Sequence, residues 1–351
     1  MNEVKVPSPV IGTLKDYLSK AKGHPTYEKI TSAKNEVLTR YKPAFSSEYV
    51  KTISEEEFRS FLLFENNKHW SGLYRQSKSL CADMDQLRES LSILVDESQP
   101  VADRLDSSVA IVKGMGKALT TAILLIIQPN KYGVWNSTSE GALKMLEVWP
   151  KFDRGSSFGQ RYEKVNAILL TLSAELKLDL WSLDSLFWFI IQEGQHEFTK
   201  DQEIEPDLSH NGEVQRFGLE RYLHEFLRDN WGKLEIGQEW QIYSEPGDDQ
   251  AGYEFPCGVG YIDILAKHRT ETRWLVIELK RDQGTDQTVG QVARYMGWVR
   301  QHLAQPEEAV EGLVICHSAD DRIKYALSAV PNVSLRFYEV EFHLKEPENF
   351  V

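Results

Sequence analysis

The chain has 351 residues, 41% of them apolar and 26% charged, which excludes global disorder and predicts about two domains. Its formal net charge is -13, with 25 basic against 29 acidic residues over 1–208 and 15 against 24 over 209–351, which argues against a polybasic, sequence-independent coat for nucleic acid. Three cysteines, Cys81, Cys257 and Cys316, stand far apart with no Cys-x-x-Cys pair, which argues against a disulfide scaffold or a cysteine zinc site and predicts a reducing, cytoplasmic setting.

Residues 1–25 read as an arm, with Pro7, Pro9 and Gly12 ahead of a short helical stretch. A helical domain is predicted over 26–195. Ser54-Glu-Glu-Glu-Phe58 is a helix start: a capping Ser, an acidic first turn, then Phe58, Phe61 and Leu62 on one face. Met84, Leu87, Leu91 and Leu94 recur at helical spacing and predict an amphipathic helix over 83–95. The apolar stretch 109–127 is broken at Gly114-Met-Gly116, and 162–176 forms a further helix with Val165, Ile168, Leu169 and Leu172 on one side. The longest apolar runs, 122–127 and 186–191, fall far short of the roughly 20 residues that span a bilayer, so no membrane association is expected. The polar run 193–213, with its single Pro206, predicts a linker over 196–214. Beyond it the pattern alternates: helix 217–227, strands 239–243, 261–266 and 274–280, helix 289–303, strand 312–317, helix 321–330 and a last strand 333–344. That order predicts an α/β C-terminal domain over 215–345, a mixed sheet flanked by helices, preceded by an all-α domain.

The chemistry concentrates on two of those strands. Side chains alternate along a strand, so Glu278 and Lys280 share one face while Ile277 and Leu279 point into apolar packing. Asp263 precedes Glu278 by 15 residues, which suits neighbouring strands joined by the polar turn 268–273 and brings the two carboxylates to one level of the sheet. Paired carboxylates repel unless a divalent cation lies between them, and oxygen ligands suit Mg²⁺ or Mn²⁺. Lys280 beside them can orient or deprotonate a water, or neutralise charge on phosphorus. Glu220 on the preceding helix can add a carboxylate. Gln291 and Tyr295, one turn apart on the following helix, can fix a water or phosphate and support the site from behind.

The array Glu220, Gly260-x-x-Asp263, Glu278-x-Lys280 and Gln291-x-x-x-Tyr295 resembles the restriction-endonuclease-like PD-(D/E)XK superfamily. Within it, residues 217–318 are most similar to the C-terminal domain of the archaeal and actinobacterial endonucleases that cut branched or mismatched DNA. The resemblance implies a restriction-endonuclease-like fold and Mg²⁺-dependent phosphodiester hydrolysis. It implies Asp263, Glu278, Glu220 and the Leu279 carbonyl as metal ligands, Lys280 as catalytic, and Glu220 and Gln291 as accessory. Gly258-Val-Gly260 stands where a Pro is often found before the Asp.

Lys113-Gly-Met-Gly116-Lys-Ala118 admits several readings. A phosphate loop fails, because Ile111 and Ala118 stand where Gly and Ser or Thr are required. A helix-hairpin-helix over 112–118 would bind a DNA phosphate through Lys113, Gly114, Gly116 and Lys117, with Val112 and Met115 as anchors. An ordinary capped helix turn is the other alternative. Residues 109–150 resemble the hairpin region of the helix-hairpin-helix DNA glycosylases. Asn136 stands at that family's catalytic Asp and Ala118 at its Schiff-base Lys, which implies a DNA-binding or structural relative without glycosylase activity. Trp70 and Arg75 form a polar-aromatic cluster that reads either as a DNA contact or as a half-buried helix connection. His210 and His224 stand apart, with no metal-ligand spacing.

These readings together predict a DNA endonuclease acting in restriction, phage defence or DNA repair, working as a homodimer if both strands are cut, with no nucleotide cofactor. The competing expectation is a nuclease fold retained as a catalytically silent DNA-structure sensor.

Overall fold

The computed structural model describes residues 6–200, 223–224 and 226–339, the side chains of 194–200, 281 and 282 excepted. The chain divides into two compact units. One comprises Met1–Glu205 with Ser244–Ala251 and Pro256–Gly260, and the other comprises Pro206–Tyr243, Gly252–Phe255 and Tyr261–Val351.

The first unit is helical. Its longer helices are α1 (Ser8–Ala21), α2 (Pro25–Ser32), α3 (Lys34–Tyr41), α4 (Glu55–Leu62), α5 (Met84–Val95), α6 (Val101–Ile111), α7 (Lys117–Ile127), α8 (Ser137–Met145), α9 (Phe158–Leu176) and α10 (Leu180–Lys200). Local chemistry sets their starts. Ser54 and Glu57 form a capping box on α4, Ser157 and Gln160 do the same on α9, and Asp83 caps α5 through the amides of Asp85 and Gln86. Every residue of α7 except Ala118 is buried, as befits a helix apolar on all sides.

Two boundaries differ from the sequence-based expectation. Within the expected arm, Ser8–Ala21 is a packed helix: α1 buries Ile11, Leu14, Leu18 and Ala21. Pro7 and Pro9 there mark a helix start, where the missing N–H costs nothing. The predicted linker begins too early, since α10 continues to Lys200; its remainder, 201–214, lies outside the described residues.

The second half carries a mixed sheet. Its strands are β1 (Trp240–Ile242), β2 (Tyr253–Cys257), β3 (Gly260–His268), β4 (Arg273–Gly284), β5 (Ala309–Ala319) and β6 (Val333–Phe337), with helices α11 (Asp286–His302) and α12 (Asp321–Ala329). The strand order is β1-β3-β4-β5-β6, with β2 paired to β3. Strand β3 is antiparallel to β1 and β4, and β5 is parallel to β4 and β6. Strand β2 was not expected, because Pro256 and the positive φ of Glu254 (46°) interrupt its alternation. Of the helix expected at 217–227, residues 223–224 and 226–230 are helical and 217–222 lie outside the described residues.

Strand alternation produces the two faces. Ile264, Ala266, Leu275, Ile277, Leu279, Leu313 and Ile315 form one apolar cluster with Leu223, Leu227 and Trp231. The opposite face of β4 and β5 receives α11, which buries Val289, Val292 and Val299.

Candidate active site

The pairing of β3 with β4 matches Ile264 to Ile277 and Leu265 to Val276. Continued by one residue, that register sets Asp263 opposite Glu278. The carboxylate Oδ2 of Asp263 accepts a hydrogen bond from the Leu279 amide at 2.7 Å. Glu278 is buried, 2% exposed, and its Oε1 accepts from the Lys280 ammonium at 2.8 Å. Ile277 and Leu279 lie in the apolar cluster, so the alternation turns Glu278 and Lys280 to the other face of β4.

A buried carboxylate at a position where a Val would pack costs stability unless a cation accompanies it. Lys280, 31% exposed at its side chain, supplies that cation at the margin of the site. The donor set is carboxylate oxygen from two adjacent strands, with an ammonium group beside it. That chemistry fits a hard divalent cation of the Mg²⁺ class. Among the described residues, no group of three or more His, Cys, Asp and Glu side chains is gathered for a metal.

On α11, Gln291 donates from Nε2 to the Tyr295 hydroxyl at 3.3 Å, and Tyr295 is buried. The Leu279 amide is the tether of Asp263. Glu220 and His210 lie outside the described residues. His224, set aside in the sequence reading, brings its Nε2 to 3.6 Å from Asp263 Oδ1. Its signal in the sequence is the neighbouring pair Leu223 and Leu227, whose burial pins this helical segment to the sheet.

The hairpin between α6 and α7 departs from the expected phosphate site. Gly114 turns the chain with φ 94°, Val112 and Met115 are buried as anchors, and Lys113 is exposed. Lys117, however, is not at the surface. It is 6% exposed, its amide donates to the Gly247 carbonyl at 3.2 Å, and its ammonium lies 3.0 Å from Glu140 and 3.4 Å from Asp248. Gly116, the residue before α7, runs against the same Gly247 carbonyl. The Lys117 donors read as a DNA contact are thus occupied by Gly247, Asp248 and Glu140 of the same unit, and the Gly247 carbonyl stands against Gly116.

Glu140 also accepts from the Trp135 indole at 2.9 Å and from Lys144 at 2.6 Å. Burial works against charge on both Lys117 and Glu140. The attraction of Glu140, Asp248 and Glu245 nevertheless holds the lysine pKa well above its usual value, and Lys117 and Lys144 hold that of Glu140 below.

Two further expectations are corrected. Trp70 is a core residue: it is buried and its indole donates to Asp184 at 2.9 Å, which removes it as a DNA contact. Asn136 is the N-cap of α8, its side chain accepting from the Ser139 amide at 2.8 Å.

Residues 245–345 match the family model described as the Endonuclease NucS C-terminal domain. No curated protein matches the chain. A solved structure, titled as an EndoMS–dsDNA2 complex, aligns at 18% identity over 40% of this chain and 50% of that one, with a TM-score of 0.28. The alignment thus spans half the length of that protein.

Proposed function

We propose that the chain is a metal-dependent DNA endonuclease with a restriction-endonuclease-like C-terminal domain, in which Asp263 and Glu278 hold a divalent cation and Lys280 acts on the phosphodiester. The observation that carries this reading is the convergence on one strand pair of the Asp263 carboxylate, tethered to Leu279, and the buried Glu278 carboxylate, paired with Lys280. The match of 245–345 to an endonuclease domain supports it.

When bound, a cation of the Mg²⁺ or Mn²⁺ class supplies charge neutralisation at the phosphate and a more acidic water. The chain's residues do the remainder. The Leu279 amide fixes one oxygen of Asp263 and so aims the other. The Lys280 ammonium, held by Glu278, offers a positive charge to the scissile phosphate and a group to orient the water. Gln291 positions water or phosphate and is itself positioned by Tyr295. Glu220 and the Leu279 carbonyl complete the oxygen set. Lys113 and Gly114, at the turn before α7, are the remaining hairpin contacts to DNA. Cutting both strands takes two copies of the chain, and the settings are DNA repair and the restriction of foreign or phage DNA.

The test is cleavage of mismatched, branched and intact duplexes with Mg²⁺ or Mn²⁺. Asp263→Ala and Lys280→Ala are each expected to lower the rate by about 10²–10⁴-fold while leaving duplex binding within severalfold of the parent. Equal cutting by parent and variants would overturn the assignment. Binding with no turnover in the parent would make the chain a silent sensor of DNA structure.

A further inference from the structure

We propose that Lys144, on α8 of the helical unit, is a positioning residue for the nuclease site: its hydrogen bond to Pro256 fixes the turn from which β3 carries Asp263. The inference deepens the nuclease reading and rests on it.

The residues that join β2 to β3, Pro256–Gly260, group with the helical unit, although the two strands pair in the sheet. The Lys144 ammonium donates to the Pro256 carbonyl at 2.9 Å. Beside it the Cys257 thiol donates to the Gly260 carbonyl at 3.1 Å and closes the turn. Asp263 follows shortly after Gly260 in the chain, with Ile262 fully buried between them. On the other side of Asp263 the backbone is pinned at Leu265, whose amide donates to Gly252 at 2.7 Å and whose carbonyl accepts from the Tyr243 amide at 2.9 Å. Asp263 therefore stands between an anchor in the sheet and a turn tied to the helices. A slackened turn displaces its carboxylate relative to Glu278, and a misplacement of about 1 Å at a reacting centre can cost about 10²-fold in rate.

Lys144 is held firmly enough to act as that tie. Its side chain is 11% exposed, its ammonium lies 2.6 Å from Glu140 one helical turn earlier, and it sits 5.5 Å over the Trp149 ring. Glu140 is itself fixed by Lys117 and the Trp135 indole. The ammonium thus serves a buried carboxylate within the helices and, through a charge-assisted bond, a backbone carbonyl at the start of the turn.

The test compares full-length Lys144→Gln, Lys144→Arg and Trp70→Phe with the parent in duplex cleavage with Mg²⁺ or Mn²⁺, duplex binding and amide hydrogen exchange. A glutamine at 144 keeps a donor for Glu140 but is a bond too short for Pro256. It is expected to lower kcat about tenfold with KM and duplex binding within about twofold of the parent, and to speed exchange at the Leu265 amide about tenfold. Arginine keeps a charged donor of sufficient length and is expected to restore kcat to within about threefold. Trp70→Phe removes the indole donor to Asp184 and so weakens the helical unit away from the turn. It should lower the melting temperature and leave kcat within about twofold of the parent. Circular dichroism checks that each variant is folded at the assay temperature. If the parent cuts and Lys144→Gln cuts as fast, or Trp70→Phe loses as much kcat as Lys144→Gln, the inference fails while the nuclease reading stands. If the parent cuts with neither ion, the reading fails and the inference with it.

Discussion

Lys117 and Glu140 form a buried ion pair, with Trp135 donating to the carboxylate from one side and Lys144 from another. Removing one charge strands the others, so Glu140→Gln is expected to cost about 3–5 kcal/mol in denaturant unfolding. Its pH signature follows from the shifts. Burial raises the pKa of Glu140, but Lys117 and Lys144 override it and the net shift is downward. The stability from Glu140 is therefore present above the ordinary carboxylate value of 4.5 and is lost as pH falls from there through its lowered folded-state value. The Lys117 shift is upward, so its share is lost only at alkaline pH, above 10.5. Glu245 has the opposite sign, because burial raises its pKa. Acid titration of the parent should show falling stability below about 4.5, and Glu140→Gln should flatten that fall. At this scale the placement of Asp263 on β3 and of Glu278 and Lys280 on one face of β4 was legible in the sequence, from strand alternation and the 15-residue spacing. The burial of Lys117 was not, because its partners stand at 140, 245 and 248. His224 was hidden for the same reason: its nearness to Asp263 exists only after the helical segment packs on the sheet.

The turn Glu245-Pro-Gly-Asp248 is a small element with a large effect. Glu245 and Asp248 exchange backbone hydrogen bonds at 2.9 and 2.8 Å, and Gly247 takes φ 80° with its Cα against the Phe158 ring. A Cβ at 247 would be driven into that ring, in a backbone region that side chains disfavour. Gly247→Ala is expected to cost about 1–3 kcal/mol, read as a lowered melting temperature by Trp fluorescence. The sequence showed the hairpin at Gly114 and Gly116 as a turn, and showed most helices and strands through periodicity. It did not show what sits on the hairpin, since a carbonyl contributed from 247 leaves no pattern near 116. Elements with broken periodicity were also missed: α1 behind two prolines, and β2 with a proline inside it.

At the scale of the molecule, the helical unit is not a contiguous stretch of sequence. Besides Met1–Glu205 it includes Ser244–Ala251 and Pro256–Gly260. The inserted residues hold named positions: Asp248 and the Gly247 carbonyl on Lys117, Gln250 accepting from Gln76 at 2.6 Å, and the Pro256 carbonyl accepting from Lys144 at 2.9 Å. A truncated chain ending at 205 is therefore expected to melt at least about 5 °C below the helical transition of the full protein, or to aggregate. A melting curve unchanged by the truncation would refute this.

A helical unit stitched together from separate stretches cannot be inherited as a cassette. Recombination that joined this N-terminal half to a foreign nuclease module would leave Lys117 facing a missing acid, unless the newcomer brought a turn of the same shape. Grafting experiments on such chains should move 244–260 together with the helices, or fail.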